Sequence, residues 1–510
     1  MQTIVDLITK SFSLHSSKAA IRIRDHLWTY GDLRNYSDNI SKFLLESGIR
    51  KGDRVVVLMN KSIYFYGAIT GILRDGGVYV PLDVRTPPAR LAGILKDIAP
   101  ICVFIDRRSI RHYQECQKML NNQFRTLYLD DSGDNSFEKI SFREESMKGI
   151  GKCTPLSSED LAFILYTSGS TGAPKGAMLT HGGLSNIINY TIECFDYRSE
   201  DVGSSLSANA FDGSLFEMFP ILCSGGMLGV YPEETLFLRD ILELTYKYSI
   251  TKLFLVPSTL NALVNSELIK PELLNTVKDV FLGGEAIPVN TLIKIMNLLP
   301  QARFHNLYGP AEATIYTSQY TFSKRLNPQA KILSIGFPAA NTNYFLDKTD
   351  NKEEKEKGEL VVIGIQVGAG YWNDPERTRN AFGVTDKGER YYRTGDIASF
   401  NPKVGYFFHG RKDQQIKFMG YRIELGEIES ILSLLPLAKE NVVIPIYKNG
   451  KIEELRLIYS AAGDCDKEIR KHLSKHLPSY MIPKSMIRVE SVPKNQNNKI
   501  DRALIKEIYG

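Results

Sequence analysis

The sequence predicts an α/β protein in two parts: a large N-terminal domain of helices packed on mostly parallel sheets, and a small C-terminal α+β domain. Three observations predict it. Strand-like and helix-like patterns alternate through most of the first 400 residues, the arrangement that builds parallel sheets covered by helices. Four apolar strands run directly into turns rich in Gly, Pro, Ser or Glu. After about residue 400 hairpin patterns take over, and a chain of 510 residues is too long for one core.

In chain order, "DRVVVLMN" (53–60) reads as a buried strand and "SIYFYGAITGILRDGG" (62–77) as an amphipathic helix stopped by glycine. "ICVFID" (101–106) repeats the strand signal and leads into polar helical sequence. "LAFILY" (161–166) feeds "YTSGSTGAPKG" (166–176), a loop of hydroxyls and glycines with one lysine. It is not the G-x-x-x-x-G-K-[ST] phosphate loop, because Gly169 and Gly172 stand too close and Pro174 precedes Lys175. "TKLFLVPST" (251–259), "VKDVFLGGEAIP" (277–288) and "ARFHNLYGPAEAT" (302–314) share the plan of a short strand entering a turn. Ligands of α/β sheets collect outside the carboxyl ends of the strands. The four loops are therefore expected to converge on one crevice.

The alternating charges of "DKTDNKEEKEKGE" (347–359) indicate a solvated hairpin or loop. "GYFFHGRKDQQIKFMGYRIELGEIESILSLLP" (405–436) predicts a hairpin, then a helix with Leu425, Ile428, Ile431, Leu432 and Leu435 on one face. "NVVIPIYKNGKIEELRLIYSA" (441–461) is a second hairpin turning at Asn449-Gly450. "DKEIRKHLSKHL" (466–477) is a helix stopped by Pro478. The domain boundary falls near Gly410–Asp413.

Bulk properties exclude several classes. With 24% charged residues, a net charge of +5 and no long basic block, nucleic-acid binding has no compositional support. No segment approaches the ~18 apolar residues of a membrane span, and the N-terminus lacks a signal-peptide layout. Six scattered cysteines point to reduced thiols in a cytoplasmic chain, and the histidines to no metal site. His181 and His409 read as packing or turn residues.

Further motifs make the set distinctive. They are "LRDGGVYVPLD" (73–83), "FDGSLFEMF" (211–219), "GELVVIGIQVGAGYWNDPERT" (358–378), "YRTGD" (392–396), "GRKDQQIKFMGYRIELGEIE" (410–429), "LPSYMIP" (477–483) and "NNKIDR" (497–502). Together with the glycine-rich loop and "NLYGPAEAT" (306–314), they resemble the adenylation domains of nonribosomal peptide synthetases. That group lies within the adenylate-forming superfamily of acyl-CoA synthetases and luciferases. The resemblance covers essentially the whole chain. It implies an adenylate-forming core over 1–410, a hinge at 411–413 carrying Asp413, and a small mobile domain over 414–510. It further implies that a carboxylic acid and MgATP give an acyl adenylate and pyrophosphate, and that the acyl group then passes to a thiol.

The resemblance also assigns roles. Thr167, Ser168, Gly169, Ser170, Thr171 and Gly172 would wrap the β- and γ-phosphates with hydroxyls and backbone N–H groups, and Lys175 would neutralise the departing pyrophosphate. Glu312 would bind Mg2+, a cation that prefers oxygen ligands, with Thr314 close to the α-phosphate. Asn306 and Tyr308 would bracket the adenine, with Gly283, Gly284 and Glu285 at its edge. Asp396 would accept the ribose hydroxyls, approached by Arg411 and Lys417. Lys499 would swing in with the small domain and bridge the substrate carboxylate and the α-phosphate. Two departures stand out: Met419 where the family usually has arginine, and Asn498 where it usually has glycine.

Asp212 matches the residue that accepts the α-ammonium of an amino acid. Phe211, Gly213, Phe216, Leu255, Phe281, Gly283, Leu307, Ile315 and Tyr316 match the rest of that pocket. This lining is apolar apart from the tyrosine hydroxyl and holds no acid for a cationic side chain. Isoleucine, leucine or valine is the expected substrate, with an aromatic side chain, given room by Leu255 and Phe281, as the alternative. No carrier or condensation domain stands in these 510 residues, so a free-standing enzyme and a phosphopantetheinylated carrier protein in trans are expected, with room for a small activator protein. A D-alanine–carrier protein ligase is disfavoured by Gly213 and Gly283, and an acyl-CoA synthetase by Asp212. A catalytically silent scaffold is disfavoured by the intact Lys175, Glu312, Asp396 and Lys499.

Overall fold

In the computed structural model, buried apolar runs become the strands of two sheets. The structure describes residues 2–120, 124–129, 138–139, 155–169, 174–232, 237–323, 326–330, 332–348, 356–438, 440–448, 451–494 and 500–510. Among these, eight strands form one sheet and fourteen the other. Arg54–Leu58 lies parallel to Val78–Pro81 and Cys102–Ile105 in the smaller sheet. The helix between the first two of these strands, Ile63–Arg74, starts where the Ser62 hydroxyl accepts the Phe65 N–H. It stops before Gly76, whose φ of +75° suits glycine. Leu161–Thr167 joins the same sheet and folds back antiparallel along Lys175–Thr180. The Gly/Ser loop thus joins two paired antiparallel strands.

In the larger sheet, Met227–Val230, Val202–Ser205, Lys252–Leu255, Asp279–Gly283 and Arg303–Tyr308 lie side by side in that order, all parallel. The strand after Val202–Ser205 lies on one side of it and the next on the other. The winding reverses there, and such a reversal opens a crevice at the carboxyl ends of the strands. The sheet continues antiparallel through Ser318–Thr321, Ser334–Pro338 and the pair Gly405–Arg411 and Arg390–Asn401. Thr342–Asp347 pairs antiparallel with Lys357–Gly364; the middle of the charge-alternating stretch, 349–355, lies outside the described residues.

In the small domain, Gln415–Phe418 and Tyr421–Glu424 form a hairpin. Its two turn residues, Met419 (φ +54°) and Gly420 (φ +78°), both sit in the left-handed region that a two-residue hairpin turn demands. The helix Leu425–Ser433 buries Leu425, Ile428, Ile431 and Leu432; Leu435 lies beyond its end yet packs on the same cluster. Glu440–Lys448 and Lys451–Ser460 make the second hairpin, whose turn, Asn449-Gly450, lies outside the described residues. The reading that the histidines form no H-x-x-x-H pair is corrected by "HLSKH" itself: His472 and His476 stand four apart on the helix Asp466–His476, rings 5.0 Å apart. The Ile431 carbonyl takes His472 Nε2, and no metal-holding group of three His, Cys, Asp or Glu occurs among the described residues. His181 is fully buried and His409 bonds to Ser399. No helix among the described residues is long and apolar enough to cross a membrane.

Candidate active site

Three of the four strand-end loops meet at one crevice, the fourth (251–259) lines an adjoining cavity instead, and the loops come from two sheets. A crevice of about 410 Å³ is bounded by Thr167 and Ser168 from the smaller sheet and by Asp212, Gly284, Gly309 and Asp396 from the larger one. The small-domain hairpin closes it with Lys417 and Arg422. A second cavity, about 260 Å³, is lined by Gly213, Phe216, Phe254, Gly283, Leu307, Ile315 and Tyr316. Phe211, Asp212 and Gly284 line both. Asp212 therefore stands where a polar crevice meets an apolar cavity.

Asp212 opens the helix Asp212–Cys223. Burial pushes its carboxyl up to about 6, against the opposing pull of Lys417 and the Gly213 N–H. Glu217, later on the same helix, accepts the N–H groups of Leu206 and Ser207, each at 2.8 Å, and the Ser204 hydroxyl at 3.2 Å. It ties the loop leading to Asp212 onto the helix that carries Asp212. Its signal in the sequence is a lone carboxylate inside the apolar run "LFEMFPIL", which must be hydrogen-bonded if buried.

The cavity walls follow strand phase. Phe254 pairs in register with Phe281 and Leu255 with Leu282. The Phe254 ring faces Phe216 at 5.4 Å. Leu255 borders the cavity but belongs to the apolar cluster that holds Leu260 and Leu282. Phe281 is fully buried behind Phe216, at 5.1 Å, and stacks on His305. Phe254 is thus a cavity residue missing from the expected set. The Tyr316 hydroxyl shares a 2.8 Å hydrogen bond with Thr191.

Glu312 is fully buried. Arg422 donates to its Oε2 at 2.6 Å, the Tyr371 hydroxyl to Oε1 at 2.8 Å, and Lys175 Nζ lies 3.4 Å from Oε1. Burial alone would raise this carboxyl, but Arg422 and Lys175 hold it well below the usual carboxylate range. Burial and the neighbouring Arg422 depress the Lys175 ammonium. Both Asp396 oxygens are engaged, one by the Tyr308 hydroxyl and one by Arg411. Arg411 also grips Asp413 through Nε and Nη2, both at 2.7 Å. Lys417 Nζ lies 5.7 Å from the centre of the Tyr308 ring.

Three expected ligand groups are turned to protein partners. The Thr314 hydroxyl donates to the Gln366 carbonyl at 2.7 Å, and Asn306 Nδ2 to the Ser334 carbonyl at 2.8 Å. Glu285 bridges the N–H groups of Ser258 and Gly420. In the Gly/Ser loop, Ser168 Oγ donates to the Arg422 carbonyl at 2.7 Å and the Gly169 N–H to Glu427 at 3.3 Å. The buried Thr167 hydroxyl has no partner among the described residues. Ser170, Thr171, Gly172 and Lys499 lie outside the described residues, as does Asn498.

The family model for AMP-binding enzymes matches residues 9–372, and that for the AMP-binding enzyme C-terminal domain matches 427–499. The chain belongs to the AMP-binding enzyme family. This AMP-binding enzyme is 32% identical to gramicidin S synthase 2 of Brevibacillus brevis, over 100% of the chain but only 11% of that protein. It is 30% identical to the L-proline–[L-prolyl-carrier protein] ligase of Streptomyces coelicolor, over 98% of the chain and 95% of the ligase. Among solved structures, the Vibrio cholerae adenylation domain AlmE, in complex with glycyl-adenosine-5'-phosphate, aligns with a TM-score of 0.86 at 21% identity. The alignment covers 99% of this chain and 97% of that one, and it shows a shared adenylate-forming fold. The AMP-binding enzyme is of the nonribosomal peptide synthetase adenylation type.

The family uses ATP, usually with Mg2+, and the residues present fit both. Thr167 offers a buried hydroxyl without a partner, and Glu312 offers an ionised oxygen ligand that already faces cations.

Proposed function

We propose that this enzyme activates a branched aliphatic α-amino acid, isoleucine, leucine or valine, as its aminoacyl adenylate and passes it to the phosphopantetheine thiol of a carrier protein. The position of Asp212 carries this reading. A carboxylate at the boundary of a polar crevice and an apolar cavity can hold an ammonium while the carboxylate and side chain of the same molecule point opposite ways. The cavity suits a branched side chain, whose burial gains free energy without unmet polar needs. Its volume of about 260 Å³ is generous for a D-alanine side chain.

Bound MgATP supplies the α-phosphate to be attacked and a pyrophosphate leaving group. Glu312 is the proposed metal ligand; Thr167, Ser168 and Lys175 are the proposed phosphate contacts, and Asp396 the ribose contact. Lys499, brought in by rotation about 411–413, steadies charge at the reacting carboxylate and α-phosphate. A third cavity, about 570 Å³, runs between the small-domain hairpin and the helix Pro257–Asn265, and shares Arg411, Lys417 and Met419 with the crevice. It supports entry of a phosphopantetheine arm.

ATP–pyrophosphate exchange with a panel of amino, fatty and aryl acids tests the reading. Fastest exchange is expected with branched aliphatic amino acids. Exchange confined to fatty acids removes the Asp212 argument, and exchange with no acid removes the enzyme.

A further inference from the structure

Two adjacent residues of the site stand in a conformation that their side chains resist. Thr314 has φ +61° and Ile315 φ +69°, and the left-handed region is strained for β-branched residues. Such strain persists only where the surroundings over-determine it. Ile315 and Tyr316 line the apolar cavity, so whatever holds this backbone also sets the shape of the cavity wall.

One side chain outside the cavity holds it. Gln366 is fully buried, in the turn between the strand Lys357–Gly364 and the short strand Gly370–Tyr371, which pairs with Lys175–Thr180. Its Nε2 donates to the Tyr316 carbonyl at 2.8 Å and to the Thr314 carbonyl at 3.4 Å, bracketing Ile315. Its Oε1 accepts the Thr342 hydroxyl at 2.7 Å, which fixes which way the amide faces. Its backbone carbonyl takes the Thr314 hydroxyl at 2.7 Å. Two residues on, the Gly368 N–H donates to the Glu312 carbonyl, and the Ala369 N–H to that of Met178, each at 2.8 Å. The turn therefore straps the segment 312–316 to the strand that carries Lys175.

We propose that Gln366 is a positioning residue for the amino acid: it holds the strained Thr314–Ile315 backbone, and so keeps the Ile315 and Tyr316 walls in the shape that selects the side chain. The proposal rests on the adenylation reading and adds to it a determinant that does not touch the substrate. Because Gln366 grips backbone carbonyls, its hold is independent of which side chains the walls carry.

ATP–pyrophosphate exchange by the full-length protein tests this. It gives the amino-acid KM and the ratio of kcat/KM between the best amino acid and one differing by a methylene. Neither depends on how much of the protein is folded. Gln366→Met, which keeps the length but not the amide, should raise that KM about tenfold and cut that ratio about tenfold. Thr342→Val, which removes only the bond orienting the amide, should move both the same way by less, and it carries the test if Gln366→Met does not fold. A lowered kcat with KM and ratio unchanged overturns the proposal. A melting cycle gives a second readout. Ile315→Gly relieves the strain, since glycine takes φ +69° freely, so Gln366→Met should lower Tm less in that background than in the wild type. Equal lowering overturns the proposal. Exchange by the wild type with no amino acid removes the adenylation reading and the proposal together, whereas unchanged selectivity in the variants removes the proposal alone.

Discussion

Asp212 faces two environments at once, and its titration should reveal this. With its carboxyl pushed up to about 6 by burial, it is neutral below that pH and cannot pair with an ammonium. The kcat/KM for the amino acid should rise as pH passes through about 6 and level off above. For stability the sign is opposite. A folded pKa above the ordinary carboxylate value means the folded chain binds this proton more tightly, so the contribution is present in acid and lost as pH rises through about 6. Asp212→Asn should raise the amino-acid KM about 10–100-fold, leave the ATP KM nearly unchanged and remove the pH step, all measurable by exchange. That Asp212 and Asp396 border one crevice was legible in the sequence because each sits in a distinctive motif. Phe254 was not. "KLFL" is apolar at three of four positions, and a strand covered on both faces lacks the alternation that tells which side chain faces the ligand.

The loop from Ser205 to Asp212 is only as firm as its anchor, Glu217. Glu217→Ala leaves two backbone N–H groups without their acceptor, and each costs about 1–3 kcal/mol where water cannot replace it. Thermal unfolding should show the loss, and exchange kinetics should show a raised KM for the amino acid with little change for ATP. Glu217→Gln keeps one acceptor oxygen but sets its NH2 against the other backbone N–H, so it should recover only part of the loss. Convergence of three of the four loops on the crevice was legible, since each strand ends in turn residues, whereas the 251–259 loop lines the adjoining cavity. Their division between two sheets was not: nothing local in "LAFILY" states that its neighbours are Val78–Pro81 and Lys175–Thr180.

At the scale of the whole molecule, the small domain presents its 415–424 hairpin to the crevice. Ile500, next to Lys499 in the chain, instead packs on the small domain's own cluster with Val442, Ile444 and Ile458. Lys499→Ala should therefore lose most adenylation while still transferring the acyl group from pre-formed adenylate to thiol. Single-turnover assays of the two half-reactions check this, and normal adenylation by the variant would remove Lys499 from its proposed role. The existence of a small domain was legible from the change of pattern after residue 400. The contacts it makes were not, because Arg422 and Glu427 meet partners more than 100 and 250 residues away.

The two sheets also divide the labour of the crevice. Thr167, Ser168 and Lys175, the proposed phosphate contacts, ride on the smaller sheet, whereas the cavity walls between Leu206 and Tyr316 come from one stretch of the larger sheet and its helices. On the proposed reading, selectivity is therefore a cassette. Exchanging that stretch between relatives would move substrate choice as a block, and the energy-handling wall opposite would be left as it stands.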